Sequence, residues 1–418
     1  MGTMKFEQLD EGEYEAFART WPNASFLQST NMAHRRERDG WTPHFVGVRG
    51  EDGTLKGVAH LSVRPVFLGY TDVECQQGPL IDFDDVQTTT FFLREIRSYA
   101  AQLRAMTLRI NPDIPANHRD AGATILDDGY DASPYYKLFA DAGYTHLDNQ
   151  RIDNEAELLR WYFRKDLSGI ASSDQLMDGF AQQTRWSVRK ALKSGVRVRQ
   201  IDASELDTFY DLMVRTAERR GFKARSRSYF ESLLEVFDRD QAQLLVAELP
   251  LDQYMANLKA QQSQAEADAK QHDPDSPDKK ERTAHRIARE AAEHYTKKLH
   301  DAEVLAKEGD VLLLAGAVFI LYGGEMSYVL SAADTRYREF CGPYALQWHA
   351  MNIALEHGLT AYNFYGTKGE FSGHPDQQGI YEFKRGFGGY VEEQSGFFEA
   401  THHPIVGMMR DFLRRIRG

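Results

Sequence analysis

The sequence is poor in several features that define common protein classes. Its 418 residues include two cysteines, Cys75 and Cys341, which are too few for a disulfide framework and fit a reducing cytosol. The longest apolar run, 311–322, is too short to span a bilayer and predicts a buried strand. The first residues contain no apolar stretch, so no secretory signal is predicted and we expect a cytoplasmic protein.

Signatures of metal and nucleotide chemistry are also absent from the sequence. It has no HExxH, no closely spaced cysteine pair and no GxxxxGK[ST] phosphate loop. The adjacent histidines His402 and His403 are typical of a surface loop, so no metal site is predicted. An acyl-CoA enzyme needs several backbone N–H groups before a helix, but 336–343 carries one glycine and ends at Pro343, which has no N–H. A coenzyme A cradle is therefore disfavoured.

Acidic residues outnumber basic ones. The chain has 62 acidic and 50 basic residues, a net charge of −12 with neutral histidines. This balance argues against a protein that coats nucleic acid non-specifically, because such binding depends on many contacts between Lys or Arg and phosphate. A local basic patch on an acidic body is still compatible with it.

The remaining composition is that of a globular protein, and the length accommodates two domains. Strand-like segments rich in β-branched residues alternate with helical ones, which predicts an α/β or mixed α+β fold. The predicted strands are 45–48, 57–63, 106–110, 195–199, 244–247, 311–320 and 327–330, and the predicted helices are 88–103 and 344–356. The predicted domains are 1–155, then 156–250 with 309–400, followed by a C-terminal helix at 401–418.

The segment 251–308 differs from the rest because it is rich in Ala, Gln, Lys and Glu and has no glycine. Two apolar stripes at helical spacing flank 273–277, where two prolines end one helix and allow another to begin. Their near-heptad spacing predicts an antiparallel coiled-coil hairpin inserted in the second domain, with arms of about 30–40 Å. Two interpretations stay open, namely a solvated helical spacer and a projecting arm that serves a macromolecular partner.

A dense run of cations precedes this insertion. It comprises Arg185, Arg189, Lys190, Lys193, Arg197 and Arg199. On a helix, positions 185, 189 and 193 share one face. Such a face is either a solvated surface or a strip of phosphate-binding cations, since arginine can hold a phosphate bidentately. Trp186 and Val188 are expected on the opposite, packed side.

Near the end of the chain, the segment 379–390 places Lys384 between aromatic residues and a glycine-rich stretch. Two interpretations are again open. The lysine is either an ordinary surface cation or a fixed cation in an aromatic-lined pocket, where it would stabilise an oxyanion. The residues alone do not decide between them.

Several segments together resemble the FemABX family of non-ribosomal peptidyl- and aminoacyltransferases, which build the interpeptide bridges of peptidoglycan. The matching segments are 26–29, 77–82, 108–112, the basic run with 194–199, the helical insertion, 344–348, 362–366 and 382–386. Their order and spacing span nearly the whole chain, and the arm makes it most similar to the FemA-type branch. The resemblance implies two GNAT-like domains with the arm inserted in the second. It implies no cofactor, because members have lost the coenzyme A loop.

The resemblance also implies catalytic residues. Lys384, with Phe383 beside it, matches the lysine of the family that is proposed to stabilise the tetrahedral intermediate. Asn111 stands where the family often has an aspartate, so this position cannot supply a carboxylate base here. No other residue is predicted to act as the general base.

Four residues are expected to bind substrate. Arg185 matches the arginine that contacts the pyrophosphate of the precursor in the family, and Arg189 lies on the same predicted face. Arg36 falls where the family has a second phosphate-binding lysine, and it keeps the charge but not the shape of that side chain. Tyr365 belongs to the matching segment near the predicted catalytic lysine.

The function implied by the resemblance is aminoacyl transfer from aminoacyl-tRNA to an amine of the stem or bridge peptide. The acceptor is UDP-MurNAc-pentapeptide or the lipid-linked precursor, and Gly, Ala or Ser is the usual amino acid in the family. Two other classes stay open. One is a GNAT-type N-acyltransferase that uses acyl-CoA, and the other is a non-catalytic scaffold whose arm binds partners.

Two further contacts are left open by the sequence. The basic, amphipathic segment 410–417 either touches the inner face of an anionic membrane or packs on the body as a terminal helix. The arm is slightly richer in acids than in bases, which weakens a role in tRNA binding. Its alternative partners are another copy of the chain or a related family member.

Overall fold

The polypeptide folds into two large β-sheets with helices packed on their faces. The structure is a computed structural model that describes residues 4–147, 159–367, 369, 371 and 375–403. Each strand and helix predicted within the two domains overlaps an observed one, with ends that differ by a few residues. The predicted α/β fold class is therefore confirmed.

The first sheet contains eight of the described strands. Seven of them lie, in spatial order, as β1 (Lys5–Gln8), β2 (Thr42–Arg49), β3 (Leu55–Phe67), β4 (Tyr70–Gln76), β6 (Ala105–Asn111), β16 (Phe397–Thr401) and β8 (Thr145–Leu147), and β5 (Leu80–Ile81) pairs with β3. All of these pairs are antiparallel except β4 with β6, which are parallel.

The second sheet also contains eight of the described strands. In spatial order they are β10 (Arg197–Ile201), β11 (Ala242–Pro250), β12 (Val311–Tyr322), β13 (Glu325–Ala333), β14 (Ala361–Thr367), β9 (Trp161–Asp166), β15 (Tyr390–Gln394) and β7 (Pro115–His118). Again a single pair, β13 with β14, is parallel. The two sheets therefore repeat one arrangement, in which an antiparallel meander meets a parallel neighbour.

Twelve α-helices lie in the described ranges. They are α1 (Glu11–Thr20), α2 (Thr30–Glu37), α3 (Val86–Gln102), α4 (Ser133–Asp141), α5 (Ser173–Asp178), α6 (Gln182–Ser194), α7 (Leu206–Arg220), α8 (Arg227–Val236), α9 (Leu251–Gln271), α10 (Lys279–Leu305), α11 (Gly342–Glu356) and α12 (Pro375–Arg385). Short 3₁₀ turns cover Phe26–Gln28, Ala203–Glu205 and Thr335–Phe340. Six of these α-helices begin after a residue whose side chain caps the first turn, as Ser226 does by accepting from the N–H of Tyr229 at 3.2 Å.

Two strands are exchanged between the sheets. β7, from the first part of the chain, pairs with β15 in the second sheet, whereas β16, close to the C-terminus, pairs with β6 and β8 in the first. A division of the chain near residue 155 therefore does not separate the two sheets. The boundary itself lies outside the described residues, and so does 404–418, where the C-terminal helix is predicted.

The two halves also share a hydrophobic core. One cluster of buried side chains combines Tyr14, Phe26 and Leu27 from the first half with residues of α7, α8, β11 and β12. Gly323, between β12 and β13, allows a close approach of the two halves, since a Cβ there would lie 2.6 Å from the carbonyl oxygen of Ala24. This common core holds the start of the chain against the second sheet, beside the cavity described below.

The insertion forms two long helices, α9 and α10, that pack against each other as a hairpin. Leu258 and Ala265 on α9, and Leu299 and Ala302 on α10, are buried. Gln262 donates a hydrogen bond across the pair to the hydroxyl oxygen of Thr296 at 2.9 Å. The helical bounds agree with those expected from the two prolines, while coiled-coil packing remains a prediction.

Two further kinds of feature, membrane-spanning helices and metal-binding clusters, are not found in the described ranges. None of the helices there is long and apolar enough to cross a bilayer. The same ranges contain no group of three or more His, Cys, Asp or Glu side chains placed to hold a metal ion.

Candidate active site

A cavity of about 860 Å³ opens where β13 and β14 separate. These parallel strands pair only over 325–327 and 361–363, and beyond that point they diverge. The residues that follow on each strand, 328–333 and 364–366, line the cavity. Ligands in α/β sheets commonly bind at the carboxyl ends of parallel strands whose connections diverge, so this gap is a natural binding site.

Lys384 on α12 is buried in the wall of this cavity, with 4 % of its surface exposed. Its Nζ donates hydrogen bonds to the carbonyl oxygens of Gly366 at 2.6 Å and Tyr365 at 3.4 Å. Burial lowers the pKa of this ammonium from 10.5 to about 7, because the cavity wall removes the water that would solvate its charge. Of the two interpretations of Lys384, the structure supports the fixed cation.

The carbonyl groups that hold Lys384 face it because of a β-bulge. The register of β14 against β9 shifts between Asn363 and Gly366, and Tyr365 lies in the left-handed region with φ 62°. The side-chain oxygen of Asn363 accepts from the N–H of Tyr365 at 2.8 Å. Its amide nitrogen donates to Glu325 at 3.0 Å, which fixes the orientation of the amide. A buried polar chain therefore maintains the bulge.

We expect Asn363→Ala to lower kcat about 10–100-fold while the KM values change little, because a relaxed bulge displaces the ammonium from the reacting atoms. Steady-state kinetics with each substrate varied in turn measures this split. Asn352→Ala on α11 is the matched control, since this amide bonds Trp348 and Ser173 away from the cavity. An unchanged kcat in Asn363→Ala would show that the bulge does not position Lys384.

Aromatic side chains surround the lysine as the sequence indicates. Phe383 also lines the cavity, and its ring lies 5.0 Å from that of Tyr344 and 5.2 Å from that of Phe387. Tyr365 lines the cavity as well. The structure thus brings together three of the predicted site residues, namely Lys384, Phe383 and Tyr365.

The basic helix α6 begins directly against the segment that follows Lys384. The N–H of Ala181 donates to the carbonyl oxygen of Gly386 at 2.8 Å. Gly386 is required here because a Cβ would lie 2.2 Å from the hydroxyl oxygen of Thr184. The cationic surface of α6 is therefore adjacent to the catalytic candidate in space, although about two hundred residues separate them in sequence.

The exposed face of α6 forms a shallow groove of about 550 Å³. It is lined by Gln182, Arg185, Trp186, Arg189, Lys190 and Lys193, and by no acidic residue. The expectation that Trp186 lies on the packed side is wrong, because 53 % of its surface is exposed. Its indole is covered instead by Nζ of Lys190, 5.0 Å from the ring, since positions i and i+4 share a helical face. Val188 is buried as expected.

Arg185 and Arg189 both lie in this groove. Arg185 is anchored at its base, where its Nη1 donates to the carbonyl oxygens of Phe180 and, at 3.2 Å, Asp178. These carbonyls sit at the carboxyl end of α5, where a cation is favourable. Arg189 is exposed and has no such anchor in the described structure.

Arg36 is not brought to the other predicted site residues. It is 3 % exposed, pairs with Glu74 at 2.8 Å and stacks on Trp41 at 4.1 Å. It lines neither the cavity nor the groove. A buried arginine needs a charged partner, and this pairing leaves its guanidinium inside the first half of the molecule.

Two sets of residues, one behind the cavity wall and one lining it, were not anticipated from the sequence. The first is the buried, hydrogen-bonded pair Asn363 and Glu325. No local sequence pattern predicts this pair, because the two residues meet only through the pairing of β13 with β14. The second is a cluster around the loop between α7 and α8, including Arg220, Phe222 and Arg225. The density of cations between 219 and 227 was a signal that could have identified it.

Comparison with known proteins first gives the class of enzyme. Aminoacyltransferase FemB of Staphylococcus epidermidis is 28 % identical over 99 % of both chains, and aminoacyltransferase FemA of the same species is 26 % identical over 97 % of this chain and 98 % of its own. Aminoacyltransferase FemA of Staphylococcus aureus is 25 % identical over 96 % of both chains. The protein is thus an enzyme of the acyltransferase class.

The family follows from a match over nearly the whole chain. The model of the FemAB family covers residues 9–415, so this chain belongs to the FemAB family. A crystal structure of FemX superposes with a TM-score of 0.78 at 25 % identity, covering 97 % of this chain and all of that one. The resemblance inferred from ordered motifs is confirmed.

Proposed function

We propose that this enzyme transfers the aminoacyl group of an aminoacyl-tRNA to an amine on a peptidoglycan precursor, either UDP-MurNAc-pentapeptide or its lipid-linked form. The observation that carries the proposal is the buried ammonium of Lys384 in a large cavity next to a cationic groove. Both substrates are anionic and both must reach one reacting centre. The named relatives are aminoacyltransferases, which agrees with this chemistry.

The reaction is the aminolysis of an ester. The acceptor nitrogen attacks the ester carbonyl carbon, a C–N bond forms, and the carbonyl oxygen takes up negative charge. When the intermediate collapses, the C–O bond to the ribose breaks and the leaving oxygen takes the proton that the amine loses. The ester is already activated, so the enzyme mainly positions the substrates and stabilises the oxyanion.

Lys384 is the group that we assign to the oxyanion. Two of its N–H bonds are directed by Tyr365 and Gly366, so the nitrogen is held in a defined orientation. Removal from water strengthens its interaction with a developing negative charge. Among the described residues, Asp334 is the only acidic one that lines the cavity, and it is held by Arg336 at 2.8 Å. We therefore assign proton transfer to the substrates themselves.

The groove on α6 is the proposed site for the diphosphate of the acceptor. We expect Arg185→Ala to raise the KM of the acceptor about 10-fold and to change kcat by about twofold at most, because a charge-assisted contact with phosphate is lost before the chemical step. Kinetics with the acceptor varied at saturating donor checks this result. Lys137→Ala, which removes an exposed cation on α4, serves as the control. An unchanged dissociation constant for the acceptor would remove Arg185 from the site.

The function itself is tested by a transfer assay. The purified chain is incubated with a pool of charged tRNAs and, separately, with the nucleotide-linked and the lipid-linked acceptor, and the products are identified by mass spectrometry. We expect the acceptor to gain the mass of one amino acid, with Gly, Ala or Ser as the expected residue. Acyl-CoA donors are included in parallel. Transfer from acyl-CoA but not from tRNA, or transfer from neither, would reject the proposal.

A further inference from the structure

One rim of the cavity is built from two helix ends and a short loop. α7 ends at Arg220, and Gly221 with φ 69° turns the chain so that the N–H of Phe222 reaches the carbonyl oxygen of Ala217 at 3.1 Å. α8 begins after Ser226, whose hydroxyl caps it. We call the cavity-lining residues Arg220, Phe222, Arg225 and Tyr229 the α7–α8 rim.

Aromatic surface is presented at this rim. Phe222 is 47 % exposed, although the residue after a helix-ending glycine usually packs against the helix. Tyr229 lies half-buried on α8, with the guanidinium of Arg35 at 4.5 Å and that of Arg225 at 5.3 Å from its ring. Exposed aromatic rings next to arginines are the usual means of stacking unpaired nucleotide bases.

Positive charge is concentrated at the cavity, although the chain as a whole is acidic. The lining given by the described residues contains Arg220, Arg225, Arg338 and Lys384 but one acidic residue, in a protein of net charge −12. That acidic residue, Asp334, is neutralised by Arg336. The cavity therefore attracts an anion that enters as far as Lys384.

The two cationic surfaces approach the cavity from different sides. α6 packs on α11 and on the 3₁₀ turn Thr335–Phe340, whereas α7 packs on β13 and α8 packs on α2. A reaction between two anionic substrates needs two separate phosphate-binding surfaces that converge on one centre. Because the proposed function assigns the acceptor diphosphate to α6, the other surface is left for the donor.

We infer that the α7–α8 rim binds the single-stranded 3′-terminal nucleotides of the RNA donor, with a base stacked on Phe222 and phosphates held by Arg220 and Arg225. The ester on the terminal ribose then lies inside the cavity near Lys384. This inference rests on the proposed function, since it takes aminoacyl-tRNA as the donor. It adds the residues that recognise the RNA and the part of the RNA that they recognise.

Binding is tested with a fluorescent RNA hairpin that ends in a single-stranded CCA, compared with the same hairpin lacking these three nucleotides. We expect Phe222→Ala to weaken binding of the first hairpin about 10-fold, because one base loses its stacking surface, and to leave the second unaffected. The double variant Arg220→Gln/Arg225→Gln should reduce the slope of log affinity against log salt by about 1–1.5, as two phosphate contacts are lost. Lys297→Gln, exposed on α10, is the control.

Steady-state kinetics distinguishes effects on donor binding from effects on acceptor binding. The rim variants should raise the KM of aminoacyl-tRNA about 10-fold with the KM of the acceptor unchanged, whereas Arg189→Gln on α6 should do the reverse. Equal binding of both hairpins by the wild type, an unaltered affinity in Phe222→Ala, or a raised acceptor KM in the rim variants would overturn the inference. The hairpin titration does not depend on catalysis. An inactive wild type would therefore reject the proposed function, whereas the titration would still test whether the α7–α8 rim binds RNA.

Discussion

Replacing Lys384 by methionine is expected to lower kcat for aminoacyl transfer about 100–1000-fold, because one oxyanion donor typically contributes about 3–4 kcal/mol to the stabilisation of the transition state. Methionine keeps the length and most of the volume of the lysine stem, so the shape of the cavity is retained. Single-turnover measurements with both substrates saturating report the chemical step directly. Turnover that persists within a few-fold of the wild type would show that Lys384 does not stabilise the intermediate.

The same substitution should stabilise the folded protein. Burial lowers the pKa of Lys384 to about 7, so keeping the ammonium in the folded state has a free-energy cost. We expect Lys384→Met to raise the free energy of unfolding by about 2–3 kcal/mol at neutral pH, less than the full shift implies because the carbonyl oxygen of Gly366 loses its donor. Urea unfolding of both proteins measures the difference. A less stable variant would indicate that Lys384 serves the structure and not the reaction.

The pH dependence follows from the direction of this shift. Between about pH 7 and 10.5 the unfolded chain holds a proton on Lys384 that the folded chain has lost, so the stability of the wild type rises with pH in this window. The advantage of Lys384→Met should therefore shrink as the pH is raised. In activity, kcat/KM of the wild type should fall above about pH 7 as the ammonium loses its proton, and the residual activity of the variant should lack this decline.

Arg385→Met provides the matched control for both measurements. Arg385 is the next residue on α12, but its side chain is exposed and pairs with Glu382 at 2.7 Å. Exposed ion pairs contribute little, so we expect a change in stability of about 0.5 kcal/mol or less and an unaltered pH profile. Similar losses in the two variants would point to a general disturbance of α12.

Arg164→Met is expected to lower the free energy of unfolding by about 3–5 kcal/mol at neutral pH, because removing the cation of a buried ion-pair cluster leaves the carboxylates unpaired. Arg164 on β9 is buried and lies 3.0 Å from Asp113, 3.4 Å from Glu392 and 3.7 Å from Glu325. Burial already raises the pKa of Glu392 to about 7. Chemical denaturation of the wild type and the variant measures the loss.

The loss should decrease when the pH is lowered. Without Arg164 the buried Glu392 is harder to ionise, so its pKa rises further in the folded state and the folded variant binds more protons than its unfolded chain. Its stability therefore falls with rising pH, and acid restores part of it relative to the wild type. A penalty that does not change with pH would indicate a packing defect and not unpaired charge.

Arg160→Met is the control for this cluster. Arg160 pairs with Glu393 at 2.7 Å, but Arg119 also binds that carboxylate at 2.6 Å, so the charge stays compensated. We expect a cost of about 1 kcal/mol or less. Since Glu325 also orients Asn363, Arg164→Met should lower kcat as well, which Arg160→Met should not.

Prediction from the sequence was most successful where a local pattern controls the outcome. The two prolines within 273–277 separate α9 from α10, because proline cannot donate within a helix and restricts the residue before it. The apolar run 311–320 lies in a central strand, and the cations of 185–193 lie on one helix. Each of these features depends on residues within one or two turns of each other.

Prediction failed where the environment of a side chain is supplied by distant segments. Trp186 was expected inside because tryptophan is apolar, yet α6 packs through Thr184, Ser187, Val188 and Ala191, and the indole is covered by a lysine. Arg36 was grouped with the other site residues, but the fold places it apart from them and against Glu74 on β4. The charge and hydrophobicity of a residue do not show which distant side chain the fold will place next to it.

The sequence by itself determined the seven predicted strands, the helices α3 and α11, the helical arm and the family, because propensity, periodicity and ordered motifs are properties of neighbouring residues. The tertiary structure alone decided that β7 and β16 exchange sheets, that β13 and β14 diverge into a cavity, and that Lys384 is buried there. Those features arise from hydrogen bonds and burial between segments far apart in the chain. The altered pKa of the lysine has the same origin, since desolvation exists only after the walls around it have assembled.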